Sequence, residues 1–242
     1  MKIITVANPV GGTAKTTTAH AIAVAAAEYG RNVLLVDADP KASLTSNLGI
    51  ENPRATILEV VNKTISIDLA TIRTAERFDL LAGAVRCANT NTGLSADLFN
   101  LKANQYDLVI FDTPSNFTSS YEKLVQIADL LIAPCDGSIN SARGVQLLAD
   151  FQSKAKTSTI KILKLNWNES ELGSAYLDRL YEDYSHFETA ITLAAPQDFA
   201  MASIKHQHAI TLNKSSKLGS EYRELTYFLL ADLFGRETNF SL

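Results

Sequence analysis

Cysteine is scarce: Cys87 and Cys135 are the only two in 242 residues. That excludes a disulfide framework and a thiolate metal site, and it leaves both as small buried hydrophobes. An excess of positive charge is missing too, since the net charge is −4. A chain built to hold nucleic acid over its whole surface is therefore excluded, and only a local basic patch remains open. No apolar run approaches the ~20 residues needed to span a bilayer. The N-terminal run Ile3–Val6 is short and meets a glycine-rich turn at once, unlike a secretory leader. The expectation is a cytoplasmic protein with no membrane contact. What is present is ample apolar material, 46% of the chain, enough for a sizeable core. Repeats, low-complexity tracts and linkers are not seen, so residues 1–242 read as one domain.

The order of patterns is strand, turn, helix, strand. Lys2–Ala7 is a β-branched run ending at Asn8-Pro9, and Gly11-Gly12 supplies a turn. Thr17–Tyr29 is Ala-rich, favours helix and stops at Gly30; Asn32–Val36 is a second apolar strand running into Asp37-Ala38-Asp39-Pro40. The alternation continues with strands at Phe78–Leu81, Tyr106–Phe111, Leu130–Pro134, Thr159–Leu165 and Ala190–Leu193. Helices are expected near Ser95–Asn104 and over Tyr121–Ala128, Asn140–Lys154 and Ser220–Phe234. Asn166–Ser185 is acidic and loop-rich. The pattern predicts an α/β fold with a mainly parallel, twisted sheet covered by helices on both faces.

The segment Asn8-Pro9-Val10-Gly11-Gly12-Thr13-Ala14-Lys15-Thr16-Thr17 lies between a strand and a helix, the context a phosphate loop requires. Small residues let backbone N–H groups face phosphates, and the helix start adds partial positive charge. Lys15 would pair with β- and γ-phosphate oxygens, and the Thr16 hydroxyl would complete a Mg²⁺ shell. The general pattern G-x-x-x-x-G-K-[ST] fails twice, because Pro9 and Ala14 stand at its glycines. Taken alone, a Gly-Gly turn before an ordinary helix would look the same.

Three acids separate the two readings. Asp37 and Asp39 end the second strand, and Asp112 ends Tyr106–Phe111. Ligands of open parallel sheets sit outside the carboxyl ends of the strands, so all three should converge on the loop. Asp112 fits an acid holding Mg²⁺ through water, and Asp39 fits one orienting an attacking water. A single such Asp would read as a turn or cap; three in this order after a glycine loop predict a nucleoside triphosphate site.

These motifs together resemble the ParA/MinD superfamily of deviant phosphate-loop ATPases, over most of the chain. The family's K-G-G-V-G-K-T-T is matched in register by Val10 to Thr17. Its D-x-D-P-Q is matched by Asp37-Ala38-Asp39-Pro40-Lys41, and its D-x-P-P by Asp112-Thr113-Pro114-Ser115. Ala128-Asp129-Leu130-Leu131-Ile132-Ala133-Pro134 fits a later motif. Lys214-Ser215-Ser216-Lys217 with Glu221-Tyr222-Arg223-Glu224-Leu225 is similar to the ParA branch. The resemblance implies ATP and Mg²⁺ as cofactors, bound by Gly11, Gly12, Thr13, Ala14, Lys15, Thr16 and Thr17. Lys15 and Asp39 would be catalytic; Thr16, Asp39 and Asp112 would serve the metal. Asn166 would contact the adenine edge, and Pro196 would pack on the base. The resemblance further implies an ATP-dependent homodimer on nucleoid DNA. A ParB-like or McdB-like partner would stimulate slow hydrolysis, and the cargo would be a plasmid, a chromosome region or a protein compartment such as a carboxysome.

The chain departs from that family at Val10, where a lysine normally crosses the dimer to the partner's phosphates. Some carboxysome-positioning McdA proteins resemble this chain in lacking it. Arg143 is the first candidate to replace it, ahead of Lys41 and Lys154. Lys205, His206, His208, Lys214 and Lys217 form a basic stretch that could meet DNA, or could be a solvated face. The run Leu225–Phe234 carries Asp232 and few basic residues, which favours core packing over a membrane-targeting helix. Trp167, Tyr176, Tyr181, Tyr184 and Phe187 read as packing or partner-facing residues. Two rival readings are an ATP-gated dimerisation switch with little turnover and a MinD-like membrane-associated positioning ATPase. A nitrogenase-type iron protein would need cysteine pairs that Cys87 and Cys135 do not form.

Overall fold

The computed structural model describes residues 1–85, 105–155, 159–165, 178–180, 182–185, 187, 190–192 and 196–235, without the side chains of 154, 155 and 196–200. Its strands are β1 (Lys2–Val6), β2 (Val33–Asp37), β3 (Thr71–Arg73), β4 (Asp79–Leu81), β5 (Leu108–Asp112), β6 (Leu130–Cys135) and β7 (Thr159–Lys164). Its helices are α1 (Lys15–Glu28), α2 (Ser43–Asn47), α3 (Ile57–Val61), α4 (Ile67–Ala70), α5 (Ser119–Ile127) and α6 (Ile139–Ala155). They continue with α7 (Pro196–Lys205), α8 (Ala209–Leu212) and α9 (Lys217–Phe234). The strands form one sheet in the order β3-β4-β2-β5-β1-β6-β7. Every pairing is parallel except β3 with β4.

Strand side chains alternate between faces, and the core divides accordingly. Ile4, Val6, Leu35, Leu108 and Ile110 pack with the alanines of α1 and with Leu225 and Leu229 of α9. Ile3, Leu34, Val36, Val109 and Phe111 face the other way, toward Ile57 and Val60 of α3 and Leu124 of α5. Leu131, Ala133 and Ile162 meet Val125 of α5 and Val145 of α6. Helices thus cover both faces, as expected for near-continuous apolar strands. Helix α1 is buried almost all round, which explains its alanines: it runs between the sheet and α9, where large side chains would not fit. Thr18 Oγ1 meets the Tyr222 hydroxyl at 3.1 Å, and Arg223 grips Glu28 through Nε and Nη2 at 2.7 and 3.1 Å.

The register fixes the functional edge. Asp112 is the Cα partner of Val6 on one side and of Asp37 on the other. The start of the glycine loop and two of the three acids therefore share one level. From β1 the chain crosses to β2, and from β5 it crosses the opposite way to β6. The crevice left by that reversal is where open sheets take ligands.

Several elements differ from the sequence expectation. Helix α1 starts at Lys15 rather than Thr17, so Thr16 is helical. Helices α2 to α4 and strand β3 occupy a stretch without visible periodicity, each five residues or fewer. Helices α7 and α8 were not expected. Of Ala190–Leu193, Ile191 makes a single parallel bridge to Leu165. The helix expected near Ser95–Asn104, most of Asn166–Ser185, and Cys87, Trp167, Tyr176 and Tyr181 lie outside the described residues.

Candidate functional site

Beyond β1 the loop is held by Asn8, which is fully buried. Its Nδ2 donates to the Pro134 carbonyl at 2.9 Å and the Ser141 carbonyl at 3.1 Å, and its Oδ1 accepts from Val10 N at 3.0 Å. One side chain thereby joins the loop, the end of β6 and the first turn of α6. Gly144 of α6 makes room: a Cβ there would stand 2.1 Å from Asn8 Oδ1 and 2.9 Å from Val10 Cγ2. The loop then turns through Gly12 (φ +79°) and Ala14 (φ 56°, ψ 30°). Ala14 precedes α1 in the left-handed region that glycine adopts freely, so its methyl group costs about 1–2 kcal/mol of backbone strain.

Lys15 opens α1 and is only 5% exposed. Its Nζ donates to the Val10 carbonyl at 2.8 Å and to Ser115 Oγ at 3.0 Å. Burial draws its pKa below the ordinary lysine value, while the charges of Asp112 and Asp39 act against that fall. Thr13 is buried and its hydroxyl donates to the Val10 carbonyl at 3.2 Å. Gly11 and Gly12 are exposed, and Ala14, Thr16 and Thr17 are half-buried.

The three acids are not equivalent. Asp37 is committed to the fold: its Oδ2 accepts from Thr45 N at 2.9 Å and Thr45 Oγ1 at 2.6 Å, and its Oδ1 from Asp39 N at 3.2 Å. Burial pushes it up to about 6, against those hydrogen bonds. Asp39 Oδ1 accepts from Lys41 N at 2.9 Å, which shapes the turn after β2. Asp112 is fully buried and neither carboxylate oxygen has a hydrogen-bond partner. Burial, then the neighbouring Asp37, drive its pKa well above the usual carboxylate value; the Thr16 hydroxyl faces it and tempers the rise without completing a hydrogen bond. A buried carboxylate with two bare oxygens, beside a threonine hydroxyl and a lysine at a helix start, suits a hard cation that brings its other oxygen ligands with it. Among the described residues no cluster of three or more His, Cys, Asp or Glu could enclose a metal on its own. Asp112 and Thr16 are the residues present that fit Mg²⁺ carried on phosphates.

The sequence reading placed His208 in an exposed basic stretch. The structure corrects this. His208 is buried; its Nδ1 accepts from Ile210 N at 3.2 Å, so the proton sits on Nε2, which donates to the Thr17 carbonyl at 3.0 Å. Burial lowers its pKa to about 3, with His20 adding to the effect. Beside it Glu76 accepts from His20 Nε2 at 2.5 Å, from His208 N at 3.0 Å and from the Thr211 hydroxyl. Burial alone would raise Glu76, but the His20 contact and the other two donors hold it below its ordinary value. Lys205, His206, Lys214 and Lys217 are exposed, and Lys217 pairs with Glu221 at 3.6 Å.

The structure brings Lys15 of the loop within electrostatic reach of Asp39 and Asp112, and the Thr16 hydroxyl to face Asp112. Arg143 is exposed on α6, next in sequence to the glycine that abuts Val10. Lys41 is exposed beside Asp39, and Lys154 lies at the far end of α6. Pro196 begins α7, its side chain outside the description, and Asn166 lies outside the described residues altogether. Cys135 is buried, with Sγ 3.1 Å from Ser141 Oγ. In α9, Leu225, Leu229 and Leu230 are buried, while Tyr227 and Phe228 are exposed. Among the described residues no helix is long and apolar enough to cross a membrane. Sequence reasoning missed Asn8, Ser115 and Gly144, whose partners lie on distant segments.

A family model described as AAA domain matches residues 1–165. The maintenance of carboxysome distribution protein A of Synechococcus elongatus is 30% identical over 166 residues, 62% of this chain and 66% of that protein. The chain spans about half to two thirds of the length of several curated relatives it matches. Apo McdA from Cyanothece superposes with a TM-score of 0.78 at 20% identity, over 94% of this chain and 99% of that one. Cobyrinic acid a,c-diamide synthase of Mycobacterium smegmatis, with a bound ATP analog and magnesium, gives 0.77 at 24% identity, over 97% and 96%. Both likenesses describe the fold.

Proposed function

Because this chain belongs to the AAA domain family and to the ParA/MinD superfamily, we propose that it is an ATPase that positions a cargo, binding ATP with Mg²⁺ between Pro9 and Thr17. The observation that carries this reading is Asp112, a buried carboxylate with two unpartnered oxygens opposite Lys15 and Thr16. Bound ATP with its Mg²⁺ supplies the phosphoanhydride bond to be hydrolysed. Backbone N–H groups from Gly11 to Thr17 face the phosphates at the start of α1. Lys15 would neutralise their charge, and the Thr16 hydroxyl and the Asp112 carboxylate would hold the cation. Asp39 orients the attacking water.

Two ATP-bound copies pair on cytoplasmic, nucleoid-associated DNA, which Lys205, Lys214 and Lys217 contact, and a ParB-like or McdB-like protein accelerates hydrolysis. The supports are the exposure of those three lysines and the likeness to the carboxysome-distribution protein. Arg143 supplies the cation that Val10 cannot.

A second reading, an ATP-gated switch with little turnover, is favoured by one observation: Val10 presents an aliphatic side chain to Gly144 where a charged one would be needed. Steady-state phosphate release, with and without DNA and the partner, separates the two. Turnover of the wild type above an Asp39→Ala control supports the enzyme; equal rates leave the switch. Dimerisation and turnover unchanged in Arg143→Ala would remove Arg143 from the scheme.

A further inference from the structure

Lys15 carries its ammonium into a place with little water. An ammonium has three N–H donors and no acceptor. Here Nζ reaches the Val10 carbonyl at 2.8 Å and Ser115 Oγ at 3.0 Å, with Thr13 Oγ1 at the limit of reach, 3.5 Å. Val10 and Thr13 belong to the loop itself. Ser115 does not: it is 100 positions away, on the segment that leaves β5 just after Asp112. Its Cβ and Oγ also stand 3.8 Å from where a Cβ on Gly11 would be. One half-buried hydroxyl therefore touches the lysine and overlooks the glycine turn.

The direction of that hydrogen bond matters. Nζ can only donate, so Ser115 Oγ accepts, and its own proton stays free for another acceptor. The free O–H lies beside the ammonium and the glycine turn, where phosphate oxygens are the acceptors the loop is shaped to receive. We propose that Ser115 is a positioning residue of the phosphate site. It fixes the Lys15 ammonium between the loop and the β5 segment, and it offers its proton to the phosphate chain that Lys15 neutralises. This rests on the nucleotide reading given above. Ser115 ties the cation to the strand that carries Asp112, so the group that meets the phosphates and the group that meets the metal are held from one segment.

The test uses the full chain and a fluorescent, non-hydrolysable ATP analogue with Mg²⁺. Ser115→Thr and Ser115→Val have nearly the same shape and differ in the hydroxyl. The Thr variant is expected to bind within about twofold of wild type, and the Val variant roughly tenfold more weakly, the scale of one hydrogen bond to a charged group. Melting without nucleotide should agree between the two within about 2 °C. Equal affinities of Thr and Val variants overturn the proposal, whether both match wild type or both are weakened. A wild-type chain that does not bind the analogue fails the nucleotide reading itself, a different result from a wild type that binds and two variants that do not differ.

Discussion

Glu76 and Asp112 are both buried carboxylates, and each lies against α1, yet their surroundings differ in kind. Glu76 accepts from His20, from the His208 backbone and from Thr211, and these donors bind the β3–β4 turn to α1 and to α8. Asp112 has two oxygens, complete burial and no partner. An acid that serves the fold finishes its hydrogen bonds within the chain, because an unpaired buried charge is costly. An acid kept where it harms the fold is there for something the chain does not contain. Asp37, adjacent to Asp112 across β2 and β5, is of the first kind, although sequence position alone makes the two look alike.

Removing the satisfied acid should do the most damage. Glu76→Ala leaves His20, the His208 N–H and the Thr211 hydroxyl without their acceptor, and should lower stability by about 3–5 kcal/mol in urea unfolding. A loss under about 1 kcal/mol would erase the contrast. The next effect is one of pH. His208 has a folded pKa of about 3, so below the ordinary 6.5 the unfolded chain takes up a proton that the folded chain refuses. Its contribution is complete above 6.5 and falls as pH drops, by about 2 kcal/mol between pH 7 and 5. Asp37 works the other way: raised to about 6, it keeps a proton that the unfolded chain has lost, so its contribution to stability grows as pH falls through 6. Measuring wild type against His208→Asn cancels the Asp37 effect, and the stability gap should narrow from pH 7 to pH 5. A gap independent of pH would mean that His208 titrates as an exposed histidine does. The smallest change in stability belongs to the orphaned acid. Asp112→Asn should leave unliganded stability within about 1 kcal/mol of wild type, or raise it. The same variant should lose the gain in ATP-analogue affinity that Mg²⁺ confers. Destabilisation comparable to Glu76→Ala would place Asp112 among the structural acids.

The sequence made the site legible where its signals are local. Lys15, Thr16 and Asp112 sit at a helix or strand terminus and Asp39 lies two residues past one, and those termini follow from apolar runs and the glycine turn. The parallel sheet was legible for the same reason, through strands apolar on both faces. The region from 38 to 77 was not, because helices of four or five residues complete too little of a 3.6-residue period to show it. Glu76 carries no signal along the chain, since its partners come from α1 and from residues 208 to 211. His208 was misread because the basic residues Lys205, His206, Lys214 and Lys217 around it in sequence suggested a surface, whereas its own ring turns inward to the Thr17 carbonyl. Ser115 and Asn8 act through contacts spanning 100 to 133 positions, which no window along the chain contains.

The contact between Asn8 and Gly144 also restricts how this chain can drift. A side chain at 144 meets Asn8 Oδ1 at once, so it is admissible only after Asn8 has changed. Changing Asn8 first strands the carbonyls of Pro134 and Ser141 without their donor. Each position thus vetoes the neutral replacement of the other across 136 intervening steps of sequence, and both letters should persist together in descendants or be exchanged together.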